Sequence, residues 1–380
     1  MLFPPLIRTD ESAEGGAASP ESGTASAPEA NSADAWPVFR GTPVLNGVAR
    51  AALRPPLKEA WAVAAAGAVT ATAAISNGRV FVGSVEGDFL ALDLTTGKEV
   101  WKADLGDVIE SSACVVDGNV YVGCGDMALY CLDAATGAAR WRFETEGEIL
   151  GGVNYHRDGE RLLIYAGSYD NSLYCVDGAT GQKVWSYESG NYINGTPTVA
   201  EGNVFFGGCD GSLYMIEALK GTETAKIVID NYMANSVAVD AGMAYLAHYG
   251  NEVVAVDLAK KEKVWSFRER DFPFFASPAL TKDRVFAAGR GKRLYALDRA
   301  TGGLVWEFKA RRSLDSSPVV SGEVLYVGSD DGWLYGIDVA TGEERWSVEI
   351  GKAIKASPAL VEGRLVIAAE DGQVRCFVPA

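Results

Sequence analysis

Ala91-Leu-Asp-Leu-Thr-Thr-Gly-Lys-Glu-Val-Trp101 decides the fold, because the chain keeps returning to it. The same frame stands at residues 131–141, 175–185, 296–306 and 336–346, each with Asp third, Thr-Gly in the middle and Trp last. Two copies have decayed. Residues 215–225 keep Gly221 but carry Glu217 and Ala225, while residues 255–265 keep Asp257 and Trp265 but hold Lys260-Lys261 in place of Thr-Gly. With Trp61 the series of Trp positions has a period of about 40 residues, the length of one supersecondary unit that buries its apolar faces only against its neighbours.

Each period reads as four short strands. Residues 112–116 alternate, Asp117-Gly118 turns, 119–123 alternate, 128–133 follow, and Thr136-Gly137 turns into 139–143. Regularly spaced short strands with Gly-containing two-residue turns predict four-stranded antiparallel blades, A to D. The longer spacing from Trp141 to Trp185 falls where residues 156–161 lengthen the A–B hairpin. Strand A begins near Ala71, Ser111, Gly151, Gly195, Asn235, Ala276, Ser316 and Ala356, which makes eight blades. The last lacks a Trp strand after residues 373–378, and residues 58–63, carrying Trp61, supply it. The sequence therefore predicts an all-β, eight-bladed propeller closed by an N-terminal strand, which removes open sheet edges.

Outside the repeat, residues 1–35 are rich in Ala, Ser, Glu, Gly and Pro and read as a low-complexity tail or linker. The ordered domain is expected over 36–380, with Trp36-Pro-Val-Phe-Arg-Gly41 lying across a sheet as a cap. Residues 1–7 are too short for a signal-peptide core, and no apolar run is long enough for a membrane helix. No cysteine precedes Cys114, so no lipidation site stands near the start, and a longer parent with an upstream anchor is an open reading. Across 380 residues the net charge is −16, which argues against nucleic acid or an anionic membrane as the main partner.

The Ala-x-Asp-x-x-Thr-Gly-x-x-x-Trp frame resembles the tryptophan-docking motif of the quinoprotein-type (PQQ-like) propeller family. The resemblance covers about residues 57–380 and speaks for the fold, since the motif is scaffold. That family includes pyrroloquinoline-quinone (PQQ) alcohol dehydrogenases and non-catalytic BamB-like assembly factors. The latter imply a monomeric binding scaffold in the periplasm or elsewhere outside the cytoplasm, with a protein or peptide partner and no cofactor. The former imply calcium and PQQ, with Glu110, Asn194 and Asp315 as oxygen groups and Lys355 at a quinone oxygen. The chain lacks the adjacent Cys-Cys pair and long insertions that enclose the quinone in those enzymes. A ligand-sensing module of a larger receptor is a third reading.

In an up-and-down blade the D–A connections and B–C turns share one face. There the residue before each strand A forms a chemically varied ring: Thr70, Glu110, Leu150, Asn194, Ala234, Phe275, Asp315 and Lys355. Its predecessors are apolar in every blade, as expected of core. The D–A segments add Tyr192, Tyr232 and Phe272 on one side, and Arg311 and Arg312 on the other. These residues, Leu150 and Ala234 apart, are the expected binding face, by packing surface aromatics among amides and charges. The cysteines carry no such chemistry. Cys131, Cys175 and Cys376 take a small-residue position in strand C, and Cys124 and Cys209 are expected to replace Ser84, Ser168 and Ser329. With only His156 and His248 and no Cys-x-x-Cys, no catalytic residue or metal site is expected.

Overall fold

The computed structural model describes residues 34–268 and 271–380. Its strands form eight four-stranded antiparallel sheets. Blade 1 consists of Ala74–Ser76, Arg79–Gly83, Asp88–Asp93 and Glu99–Asp104, in the order A to D. Strands B and C are buried along almost their whole length because a neighbouring blade covers each face, whereas the D strands alternate between buried and exposed. Strand A starts about three residues later than the sequence pattern indicates, and the residues before it are buried without pairing as strand. The longer hairpin of blade 3 is present, as Asn154–Asp158 against Arg161–Gly167. The expected tail lies outside the described residues except for Asp34 and Ala35.

The ring closes as the repeat count requires. Leu57–Ala64 pairs antiparallel with Gln373–Pro379, setting Trp61 opposite Cys376 just as Trp101 stands opposite Ala91. A bulge beside the Trp recurs in the D strands, turning the indole toward the next blade. There its N–H donates to a carbonyl of the neighbour's C–D turn: Trp61 to Leu94 at 3.0 Å, Trp101 to Ala134 at 3.0 Å, and Trp185 to Ala218 at 3.1 Å. The motif Gly packs on the same ring. A Cβ on Gly137, whose φ is +77°, would lie 2.6 Å from Trp101. The Asp and Thr act within their own turn: the Asp133 carboxylate accepts from the Thr136 N–H and hydroxyl, both at 2.9 Å. With Arg140 contributing most, these bonds hold the Asp133 carboxyl down to about 2.

Residues 36–53 do not lie across a sheet face. They enter the central channel and follow the free inner edges of the A strands. Trp36 exchanges N–H···O bonds with Ile75 of blade 1. The carbonyls of Pro37, Pro43, Val44, Asn46 and Gly47 then accept from Val115, Val199, Val239, Leu280 and Val320, of blades 2, 4, 5, 6 and 7. Asn154 of blade 3 donates its side-chain amide to Pro43 O at 2.8 Å. This plug meets edges that would otherwise be unpaired inside the protein, which is why a segment with no alternating pattern is ordered. At its centre Arg40 is fully buried and donates to the carbonyls of Pro278 (2.7 Å), Pro318 (2.9 Å) and Leu45 (3.4 Å). Burial pushes its pKa down to about 9, so it remains charged at neutral pH.

Candidate functional site: a funnel above the plugged channel

On the D–A/B–C face the channel opens into a funnel whose two tiers follow from two registers of the repeat. The predecessors of the varied ring, Val69, Ile109, Ile149, Ile193, Met233, Phe274, Leu314 and Ile354, are all fully buried, as expected. The upper tier is a cavity of ≈ 540 Å³ lined by Thr70, Glu110, Asn194, Tyr232, Phe275 and Lys355 from the expected set. Leu150, Ala234, Tyr169, Cys209 and Tyr249 complete its wall. Beneath it lies a narrower chamber of ≈ 170 Å³ that shares Thr70, Asn194, Phe275 and Lys355, adds Asp315, and ends on Phe39 of the plug.

Not all the expected residues meet here. Tyr192, Phe272, Arg311 and Arg312 are not part of either lining. Tyr192 stacks on Tyr169 with centroids 5.2 Å apart, and Arg311 lies over the Trp333 ring at 4.4 Å. Tyr192, Tyr232 and Phe272 are 49%, 41% and 46% exposed, giving the rim an aromatic side. That side continues inward. Tyr232 packs on Tyr249 (4.2 Å), Tyr249 meets the edge of Phe275 (4.7 Å), and the Arg290 guanidinium covers Phe275 at 3.5 Å.

Sequence reasoning missed the second ring. Val85, Gly125, Tyr169, Cys209, Tyr249, Arg290, Asp330 and Glu370 start the B–C turns in common register, each N–H bonded to a D–A carbonyl such as Ala68, Val108 or Tyr232. Cys209 therefore matches Tyr169 and Tyr249, and Gly208, not Cys209, matches Ser168; the expected equivalence was one residue off. This ring decides the charges. Arg290 grips Asp315 bidentately (2.8–3.2 Å), and Glu370 pairs with Lys355 at 2.6 Å, raising the lysine pKa. Burial, with Asp315 nearby, raises that of Asp330.

Deeper, hydroxyls link the blades. The N–H groups of Thr72, Thr196, Ser236, Ser277, Ser317 and Ser357 donate to the hydroxyls of Ser112, Ser236, Ser277, Ser317, Ser357 and Thr72, at 2.8–3.1 Å. Gly152 interrupts the belt in blade 3, where a Cβ would lie 2.4 Å from the Thr196 hydroxyl. The signal for this belt was the Ser or Thr two residues after every varied-ring residue except Leu150. Cys124, Cys131 and Cys175 are buried packing residues. Burial pushes the Cys124, Cys131 and Cys175 thiols up to about 12. His248 is buried, accepts the Gly250 N–H at 3.0 Å, and has its pKa lowered by burial.

Two of the four residues expected at a calcium–quinone centre are already engaged by neighbours. Asp315 is committed to Arg290 and Lys355 to Glu370. Among the described residues no three His, Cys, Asp or Glu side chains converge on a point that could hold a metal ion.

A family described as outer membrane protein assembly factor BamB matches residues 50–266, 230–313 and 290–378. The chain belongs to that family. BamB from Moraxella catarrhalis is 20% identical over 85% of this chain and 98% of its own, with a TM-score of 0.73. The same fold is found in a quinohemoprotein alcohol dehydrogenase from Comamonas testosteroni, 15% identical over 91% of this chain and 80% of its own (TM-score 0.77). It is found again in the computationally designed Ika8 protein, 14% identical over 88% and 99% (TM-score 0.72). At such identities the likeness is one of fold. No curated protein matches the chain in sequence. Among the described residues no helix is long and apolar enough to cross a membrane.

Proposed function

We propose that this BamB-family propeller is a non-catalytic scaffold of the bacterial cell envelope, placed outside the cytoplasm, that holds a protein or peptide partner on its D–A/B–C face. The observation that carries the reading is the aromatic side of that face. Tyr192, Tyr232 and Phe272 present large exposed rings on a rim that also bears Glu110, Arg311 and Arg312, the mixture of anchors and polar surround found in protein contacts. The motif tryptophans are buried or half-buried between blades, none as exposed as these rings, so exposure here is not a by-product of the repeat. Tyr192→Ala/Tyr232→Ala is expected to reduce capture of outer-membrane partners by tagged protein at least tenfold, with the circular-dichroism spectrum unchanged. Undiminished capture would remove the patch.

The same reading has the protein working without a cofactor. Titration with PQQ and calcium is expected to leave the thermal midpoint where it was. A ligand at 100 times its dissociation constant would instead add about 2.7 kcal/mol. A clear rise in the midpoint that disappears in Glu110→Ala would replace the scaffold with an enzyme.

A further inference from the structure

The lower chamber carries polar groups that the fold leaves without partners. Asn235 is 4% exposed, lines the chamber, and has both Oδ1 and Nδ2 unpartnered. Asn194 Oδ1 and Thr70 Oγ1 are buried and unpartnered as well. The belt hydroxyls accept backbone N–H bonds, which leaves their own hydrogens to point elsewhere. Dry, such groups would be destabilising, because they would have given up water and received nothing in return. The chamber has room for water: one needs only about 10–15 Å³ of such space, so ≈ 170 Å³ takes several.

A ligand that displaces those waters must both donate and accept, since donors and acceptors are left open side by side. Reversing the Asn235 amide leaves that requirement unchanged. A charged ligand is poorly served. The neighbouring Asp315 and Lys355 are already neutralised by Arg290 and Glu370, and Arg40 contributes no atom to the lining. Directly above stand Tyr232, Tyr249 and Phe275, a wall that water has no use for but that the C–H face of a sugar ring packs against.

We propose that the funnel binds a neutral sugar ring, its hydroxyls on Asn235, Asn194 and Thr70 and its C–H face on the aromatic wall. The site shares Tyr232 with the rim patch, but its polar contacts, Asn235, Asn194 and Thr70, are not among the residues of that patch, so their substitution tests the sugar site apart from partner capture.

Saturation-transfer NMR on the whole chain with glucose, galactose and N-acetylglucosamine tests it. At least one of the three is expected to receive saturation at its ring C–H protons. Thr70→Val is expected to weaken that binding at least tenfold. Asn235→Leu is expected to abolish it while the thermal midpoint holds or rises, because an unpartnered amide is being removed. A residue with a purely structural role would instead lower the midpoint. The proposal fails if none of the three sugars receives saturation. It fails equally if transfer survives both substitutions, or if only chloride or sulfate binds the chamber.

Discussion

Arg40→Ala is expected to lower folding stability by about 3–5 kcal/mol. The substitution leaves the carbonyls of Pro278, Pro318 and Leu45 without their donor in a fully buried place, at about 1–3 kcal/mol each before water recovers part of the loss. It also empties the space that the guanidinium fills against Gly47, where an added Cβ would collide with it. Arg40→Met keeps much of the stem and is expected to lose less. The urea midpoint of tryptophan fluorescence measures both. An unchanged midpoint for Arg40→Ala would mean that the plug is a passenger of the ring and does not contribute to holding it together.

The second large effect separates two tryptophans that the repeat makes equivalent. Trp101→Ala is expected to cost about 3–5 kcal/mol, because the buried indole, its contacts with Phe81 and Phe89, and its bond to Ala134 O go together. Trp346→Ala is expected to cost clearly less. Its neighbour, blade 8, has no C–D turn, since the outer strand of that blade is Leu57–Ala64. Trp346 packs edge-on against Phe377 and Tyr326 instead, and the Tyr326 hydroxyl reaches back to Leu53 O at 3.0 Å. Equal losses for the two would show that ring packing alone, not docking into the turn, supplies the stability.

The architecture was legible because each unit repeats the same local instructions: alternation, a Gly turn, and a Trp that needs a neighbour. The varied ring was legible for the same reason, and it led to Thr70, Glu110, Asn194, Phe275 and Lys355 on one wall. What stayed hidden depends on contacts without a local signature. The plug gives its backbone to strands of six other blades, and nothing in Trp36-Pro-Val-Phe-Arg-Gly announces which edges it will meet. Arg290 and Glu370 sit at turn starts where any polar residue would be unremarked, yet they decide that Asp315 and Lys355 are paired and not free. Cys209 was misplaced by one residue because Gly207-Gly208 blurs where strand B ends. Tyr192 and Phe272 were read as one patch with the funnel, but the chain holds them outside it.

The closing strand also fixes an order of events. Leu57–Ala64 leaves the ribosome among the first segments of the propeller, and its partner Gln373–Pro379 is the last, roughly 300 residues later. Joining ends so far apart adds little to the equilibrium cost, which grows only with the logarithm of loop length. Its consequence is temporal. Seven blades can assemble from contacts between neighbours while the eighth waits, with an unpaired strand edge at each end of the unfinished ring. Until the last strand is made, the edges it would close stay open, and free strand edges are what invite aggregation.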